Sequence, residues 1–226
     1  MKMERLLSEK DIHILYNHFV VKPHAYLNRT IDDTLPYNPK GKDAPRVFTL
    51  MDFKDWVHKY KIRPKNALLT DADDYEVPLL SCDKITVINY ASSHAYDLHA
   101  LSLPRRDYDF VLFSQTLEHL YNPYRCVKNL YDHMCEGGYI FTSVPTVNIP
   151  HMTPIHFSHF YPIGLICMFI QCGFEVLEVG YWGNLDYILH LFTTYTWPDI
   201  YTLPSLQNDP KHPAQCWILA KKTQNT

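Results

Sequence analysis

Segments typical of β-strands and α-helices alternate between about residues 65 and 182 of this 226-residue chain. Residues 49–63, 123–134 and 162–174 carry apolar side chains at helical spacing. Six runs rich in β-branched and aromatic residues predict strands: NALLT, KITVINY, DYDFVLFS, YIFTSVP, EVLEVGYWG and, further on, QCWILAKK. Strands separated by helices form parallel sheets with helices on both faces. The sequence therefore predicts an α/β fold with a doubly wound, mainly parallel sheet.

Residues 1–64 precede the first predicted strand and differ in character from the main domain, which we place at residues 65–226. Apolar positions recur at helical spacing within residues 1–22. Residues 23–48 are rich in proline and charge, and predict an extended segment that is a candidate lid over a ligand site. The helix that follows is predicted to begin with Thr49 as its N-cap.

The stretch DYDFVLFSQTLEHLYNP combines a buried strand with a polar end. Its apolar run, Phe110 to Phe113, is continuous, as expected for a strand covered on both faces. Ligands of open α/β sheets bind beyond the carboxyl ends of the strands. This position predicts four residues that line a ligand site: Ser114, Gln115, Glu118 and His119.

Composition excludes several classes of protein. The net charge of -3 gives no basic field that would attract nucleic acid. The six cysteines include no CxxC pair and match no zinc-finger spacing, so they predict reduced thiols in a cytoplasmic protein. The amino-terminal segment is too polar for a signal peptide, and charge and glycine interrupt the most apolar stretch too early for a membrane span. We expect neither a membrane anchor nor a nucleic-acid partner.

The order of motifs resembles a known family. An acidic loop follows the first strand, and then come DLHALSLP, DYDFVLFSQTLEHLYNP, EGGYIFTSVP, HMTPIHFSHF and CGFEVLEVG. This series is similar to the class I, Rossmann-like S-adenosylmethionine-dependent methyltransferases over about residues 65 to 185. Residues 215–222 resemble the closing antiparallel strand of that family. The resemblance implies an enzyme with S-adenosylmethionine as its cofactor.

The chain departs from the family after its first two strands. The family carries a glycine-rich loop after the first strand, where this chain reads LLTDADDYEVP, with Asp71, Asp73 and Asp74 in place of glycines. These acids have three interpretations: they receive the methionine ammonium group, they hold a divalent cation such as Mg²⁺ or Mn²⁺, or they solvate a loop. Asn89 stands near the position of the acid that usually binds the ribose hydroxyls.

The segment HAYDLHALSLP is similar to the adenine-binding segment of the family. The resemblance implies that Asp97 accepts a hydrogen bond from the adenine amino group. It also implies that Leu98 presents a backbone N–H to the ring. The alternative is that Asp97 is a solvated acid in a turn.

Histidines supply the candidate catalytic groups. Methyl transfer to a hydroxyl requires a proton acceptor, and imidazole titrates near neutral pH. By resemblance, the loop that holds His151, His156 and His159 faces the substrate, which favours His151 or His156 as the general base. His159 is closest to the next helix and is expected to be structural. His119 is a further catalytic candidate, although it can instead bond a backbone carbonyl while Glu118 caps the following helix.

Three functions are open at this point. The leading one is O-methylation of a small molecule or a sugar, including a nucleotide-sugar, because the stretch YWGNLDYILHLFTTYTWPD offers aromatic side chains for stacking. The second is a catalytically silent methyltransferase-like binding module. The third is a metal-dependent glycosyltransferase in which Asp71 and Asp73 form a DxD motif.

Overall fold

The computed structural model describes residues 6–21, 31–32, 35, 43–71, 75–88, 97–151 and 155–223. Its helices are α1 (Glu9–Tyr16), α2 (Ala44–Lys59), α3 (Pro123–His133), α4 (Pro162–Gln171) and α5 (Leu185–Thr194). Its strands are β1 (Asn66–Leu69), β2 (Lys84–Val87), β3 (Tyr108–Ser114), β4 (Met134–Pro145), β5 (Phe174–Trp182) and β6 (Gln215–Lys222). A π-helical turn (Asn17–Val21) follows α1, and short 3-10 turns occupy Val77–Leu79, Leu98–Ala100 and Leu117–His119.

All six predicted strands form one sheet in the order β2-β1-β3-β4-β6-β5. Strands β2, β1, β3 and β4 pair in parallel, whereas β6 runs antiparallel to both β4 and β5. The predicted doubly wound sheet with an antiparallel carboxyl-terminal strand is therefore confirmed.

Strand β3 shows how the sheet is covered on both faces. Val111 and Phe113 contribute to a core shared with α3 and α4, while Phe110 and Leu112 contribute to a core shared with α2 and α5. All four side chains are completely buried. The continuous apolar run of this strand follows directly from burial on both sides.

Helix α2 corrects one detail of the sequence prediction. The helix begins at Ala44, five residues before Thr49, with Asp43 at the N-cap position and a proline in its first turn. Thr49 is buried inside the helix, where its hydroxyl donates to the carbonyl of Pro45 at 2.9 Å. Proline fits a first helical turn because its missing N–H has no partner there in any case.

Helix α2 is also a large part of the core. Phe48 stacks on Trp182 with ring centroids 4.9 Å apart, and Phe53 packs edge-on against Phe141 at 4.6 Å. Asp52 accepts a 2.8 Å hydrogen bond from the indole N–H of Trp217. The candidate lid, residues 23–48, lies mostly outside the described residues and stays a prediction. Within the described ranges, no helix is long and apolar enough to cross a membrane.

Candidate functional site

The candidate site lies where the parallel strands end. The hydroxyls of Thr70, after β1, and Thr116, after β3, are 3.1 Å apart. Gln115 adopts a left-handed backbone conformation, with φ of 47°, and its side-chain amide donates to the hydroxyl of Ser143 at 3.1 Å. The ends of β1, β3 and β4 are thus linked by side chains at the edge where ligands of such sheets bind.

Ser114 supports a buried ion pair at this edge. Its hydroxyl donates to Glu76 Oε1 at 3.1 Å, and Arg46 donates to Glu76 Oε2 at 3.0 Å. The Glu76 side chain is fully buried and that of Arg46 is 12% exposed. Arg46 and Glu76 escaped sequence reasoning because 30 residues separate them and no local pattern pairs them. The ion pair joins α2 to the segment that follows β1.

The structure describes some of the predicted cofactor residues, whereas others lie outside the described ranges. Asp71 is half-buried directly after β1. Asp73 and Asn89, like Asp74, lie outside the described residues, so their predicted roles stay predictions. Leu98 begins a 3-10 turn, whose first backbone N–H groups have no partner within the turn itself.

Asp97 is held by a neighbour that sequence reasoning did not single out. The backbone N–H and Nδ1–H of His99 both donate to Asp97 Oδ1 at 2.8 Å. His99 is in turn fixed, because its Nε2 accepts from the backbone N–H of Asn122 at 3.3 Å and its ring stacks on Tyr121 at 3.8 Å. The bonds from the His99 backbone and ring lower the pKa of Asp97, which keeps it anionic.

The Asp97 segment and the donor set around it fit S-adenosylmethionine. Among the described residues, both hydrogen bonds to Asp97 fall on Oδ1, so Oδ2 can accept another. The side chain is 63% exposed and therefore reachable by an amino group. The neighbouring turn can present the backbone N–H of Leu98 to the ring of an adenine, since those of His99 and Ala100 bond Asp97.

Glu118 and His119 occupy a 3-10 turn and do not begin helix α3, which starts at Pro123 with Asn122 as its N-cap. The prediction that Glu118 caps this helix is wrong. Its carboxylate is fully buried, and neither oxygen has a hydrogen-bond partner among the described residues. Burial raises the pKa of Glu118 to about 8, and its own backbone N–H nearby, followed by the positive charge of Arg46, offsets part of that rise.

The predicted catalytic histidines form one cluster. Nε2 of His119 lies 3.2 Å from Nε2 of His151, although 32 residues separate them in the chain. The rings of His151 and His156 are 4.6 Å apart, and those of His156 and His159 are 4.5 Å apart. The segments that follow β3 and β4 meet because these strands are neighbours in the sheet.

Three imidazoles in the cluster, those of His119, His156 and His159, have a lowered pKa, in each case chiefly because of burial. Burial, with a smaller effect from the neighbouring histidines, lowers the pKa of His156 to about 4. Burial likewise lowers the pKa of His119. The alternative predicted for His119 is also seen, since its Nδ1 bonds the carbonyl of Ile155 at 2.8 Å. Nε2 of His156 is buried without a hydrogen-bond partner among the described residues.

Half of the aromatic side chains in the stretch YWGNLDYILHLFTTYTWPD are structural, and the other half are exposed. Tyr181, Trp182 and Tyr187 are buried in the core, and the middle of the stretch forms α5, a helix that was not predicted. Trp197 differs, since it is 46% exposed and its ring lies 6.1 Å from that of His151. Phe157, 50% exposed, lies in the same loop as His156. Exposed aromatic side chains thus border the histidine cluster.

Comparisons with known proteins agree with this architecture. Residues 35–208 match a family described as a methyltransferase domain. A comparison with curated protein sequences finds no match.

Solved structures show the same fold at low sequence identity. An N-methyltransferase, NodS from Bradyrhizobium japonicum in complex with S-adenosylhomocysteine, is 12% identical with a TM-score of 0.53, over 88% of this chain and 97% of that one. A 1,6-didemethyltoxoflavin-N1-methyltransferase from Burkholderia thailandensis is 11% identical with a TM-score of 0.54, over 78% and 79% of the two chains. The [4+2]-cyclase SpnF is 13% identical with a TM-score of 0.53, over 77% and 82%.

The family match and the sheet topology define the class of protein. The chain belongs to the class I, Rossmann-like family of S-adenosylmethionine-dependent methyltransferases. It is an S-adenosylmethionine-dependent enzyme of that family, so the interpretation as a metal-dependent glycosyltransferase with a DxD motif at Asp71 and Asp73 is wrong.

Proposed function

We propose that the chain transfers a methyl group from S-adenosylmethionine to a hydroxyl of a small molecule, with a sugar or nucleotide-sugar as the leading class of acceptor. S-adenosylmethionine supplies a methyl group on a sulfonium, and a neutral thioether remains after transfer. Asp97 and Leu98 would hold the adenine, and Asp71 would meet the methionine ammonium group. A net charge of -3 supports a small acceptor over nucleic acid.

The proposal that His156 is the general base rests on one observation. His119 and His151 face each other through Nε2, so neither nitrogen is directed away from the cluster. Nε2 of His156, in contrast, has no partner among the described residues. The contact from the His151 backbone N–H to Nδ1 of His156 is 3.5 Å, too long to fix the tautomer of the ring. With its pKa lowered to about 4, His156 is neutral at pH 7, and its buried Nε2 would take the hydroxyl proton while the acceptor oxygen bonds the methyl carbon.

The surroundings of the cluster support a ring-shaped acceptor. Trp197 and Phe157 expose large aromatic surfaces beside the histidines. Aromatic faces stack on sugars and planar rings, and such contacts would orient an acceptor hydroxyl toward His156. Orientation matters here because aligning the nucleophile with the methyl group is a large part of catalysis of this displacement.

The test measures S-adenosylhomocysteine released from S-adenosylmethionine with separate panels of sugars, nucleotide-sugars, phenols and amines. We expect turnover with a hydroxyl acceptor and a loss of about 10²- to 10⁴-fold in kcat for His156→Gln, without a change in cofactor affinity. His159→Gln, which removes the adjacent exposed imidazole, is the matched control and should keep its kcat.

Two results would contradict the proposal. Turnover of amines alone would assign a nitrogen acceptor, as the names of two similar structures state for those proteins. Calorimetric titration that detects neither S-adenosylmethionine nor S-adenosylhomocysteine binding would instead favour the silent binding module.

We further propose a reducing compartment, the cytoplasm, as the location of the protein. All six cysteines are free, and three of them are buried. Labelling of free thiols in protein taken directly from cells tests this, since a disulfide would protect two cysteines from the reagent.

A further inference from the structure

We propose that Glu118, His119 and His151 form a binding site for a divalent transition-metal cation, with Zn²⁺ as the best-matched ion. The inference goes beyond the proposed function, because it concerns a cation site that stands whether the methyl acceptor is a hydroxyl or an amine. Three features of the cluster support it: the spacing of the donor atoms, the tautomer of His119, and the buried carboxyl group of Glu118.

The spacing of the donor atoms suits a single ion. Nε2 of His119 lies 3.2 Å from Nε2 of His151 and 3.8 Å from Glu118 Oε1, and all three donor atoms lie within 4.8 Å of one another. Ligand atoms bonded to Zn²⁺ at about 2.05 Å in a tetrahedron are about 3.3 Å apart. The closest pair already has this spacing, and the carboxylate would move inward by at most about 1.5 Å.

The tautomer of His119 directs a lone pair at His151. Nδ1 of His119 contacts the carbonyl oxygen of Ile155 at 2.8 Å, whereas Nδ1 of His151 is 3.4 Å from that of Ile149, too long to fix its tautomer. A carbonyl oxygen only accepts, so Nδ1 of His119 carries the proton and its neutral ring has its lone pair on Nε2. A cation bound to Nε2 of both rings would replace the 3.2 Å contact between them. Carbonyls that hold Nδ1–H are also what orients histidine ligands in metal sites.

The buried carboxyl group of Glu118 lies where a cation would bind, and it becomes an anionic ligand when the cation displaces its proton. Glu118 is fully buried, and neither of its oxygens has a hydrogen-bond partner among the described residues. An unpartnered buried carboxylate is costly, and a coordinated cation removes that cost. Beside two neutral imidazole nitrogens, an ionised Glu118 gives the site one negative charge, which attracts a dication.

The donor types select the cation. Imidazole nitrogens suit Zn²⁺, Fe²⁺, Ni²⁺ and Cu²⁺, whereas Mg²⁺ prefers oxygen ligands alone. Two histidines with one carboxylate leave at least one coordination position open, which is typical of catalytic rather than structural zinc sites. The site therefore differs in residues and in ion from the Mg²⁺ or Mn²⁺ interpretation of the acidic loop at Asp71.

The test is a titration of the full-length, chelator-treated protein with Zn²⁺ by calorimetry and with Co²⁺ by visible absorption. We expect one ion per chain with a dissociation constant of about 1 µM or tighter. The Co²⁺ spectrum should show nitrogen and oxygen coordination without a thiolate charge-transfer band, which excludes the six cysteines as ligands. This spectrum tests the site even if a variant fails to fold.

Variants then locate the ion. His151→Gln, His119→Gln and Glu118→Gln should each weaken Zn²⁺ binding by at least the 10- to 100-fold that indirect changes at metal sites cause. His58→Gln, which removes an exposed imidazole on α2, should leave affinity unchanged. The proposal is overturned if wild-type protein binds no ion at millimolar Zn²⁺, or if the three variants bind as tightly as wild type. If Asp71→Asn weakened Zn²⁺ binding and the three variants did not, the ion would belong to the acidic loop, and the proposal would again be overturned.

Discussion

Breaking the ion pair between Arg46 and Glu76 should destabilise the whole domain. The Glu76 side chain is fully buried and that of Arg46 is 12% exposed, so removal of one partner leaves the other charged in a poorly solvated position. Loss of one member of a buried pair typically costs about 3 to 5 kcal/mol. Arg46→Ala leaves the more deeply buried Glu76 without its arginine partner and should cost about 4 kcal/mol. Glu76→Ala leaves Arg46 its 3.4 Å contact with the Ser143 hydroxyl and some access to water, and should cost about 3 kcal/mol.

The same geometry predicts how the substitutions combine. Ser114 also donates to Glu76, so Arg46→Ala leaves one hydrogen bond to the carboxylate in place. The double variant leaves no buried charge at the pair, and its cost should be smaller than the sum of the single costs by about 1 to 3 kcal/mol. Urea unfolding followed by tryptophan fluorescence measures these values, since the chain has four tryptophans. A melting temperature lowered by about 10 °C should accompany each single change.

An exposed ion pair provides the matched control. Lys128 and Asp132 face each other across one helical turn of α3 at 3.3 Å, with side chains 42% and 49% exposed. Surface pairs of this kind contribute about 0.5 kcal/mol, so Asp132→Ala should change stability very little. If Glu76→Ala were as stable as Asp132→Ala, or if the double variant lost the full sum of the single costs, the argument from burial would be wrong.

Three further predictions concern the cofactor, pH and packing. Asp97→Ala should weaken S-adenosylmethionine binding by about 10-fold in calorimetry, as expected for one lost hydrogen bond to a charged group, and unchanged affinity would remove the adenine assignment. Burial, opposed by a hydrogen bond from a tyrosine and by a nearby arginine, raises the pKa of Asp43 from 3.8 to about 7. As pH rises, the unfolded chain therefore loses this proton before the folded chain does. The free energy of unfolding should fall between pH 3.8 and about 7, by at most about 4 kcal/mol. Asp43→Asn should flatten that pH profile in urea titrations, and an unchanged slope would refute the assignment. Gly180→Ala would place a Cβ 2.1 Å from the indole nitrogen of Trp217 and should cost about 3 kcal/mol in thermal unfolding, whereas a neutral effect would show that the indole can move.

The strands were predictable because each one is locally consistent. The runs around Phe110 and Trp217 combine β-branched or aromatic residues with burial on both faces. Each run forms a strand of the sheet at the residues where the pattern predicted one. Helix starts were harder, although signals were present. Asp43 precedes α2, whose first turn holds Pro45, and Asn184 accepts from the backbone N–H of Tyr187 as the N-cap of α5.

The candidate site was predictable only in part, because its residues meet through the sheet. His119 and His151 were separate candidates, and their contact at 3.2 Å requires that β3 and β4 be neighbours. His99 gave no periodic or motif signal, since its importance lies in orienting Asp97 through two hydrogen bonds. Burial of Glu118 without a hydrogen-bond partner among the described residues is likewise a property of the folded chain.

Helix α2 contacts residues that are distant in sequence, and this affects how the chain folds during synthesis. Thr49 accepts from Gln215 at 2.6 Å across 166 residues, and Asp52 accepts from Trp217 across 165. The helix leaves the ribosome about 165 residues before its partners in β6 do. Contacts between distant parts of a chain form slowly because a long loop must close first. The apolar face of α2 should therefore stay exposed to chaperones until the final strand is released, and carboxyl-terminal truncations that remove β6 should aggregate rather than fold to a smaller domain.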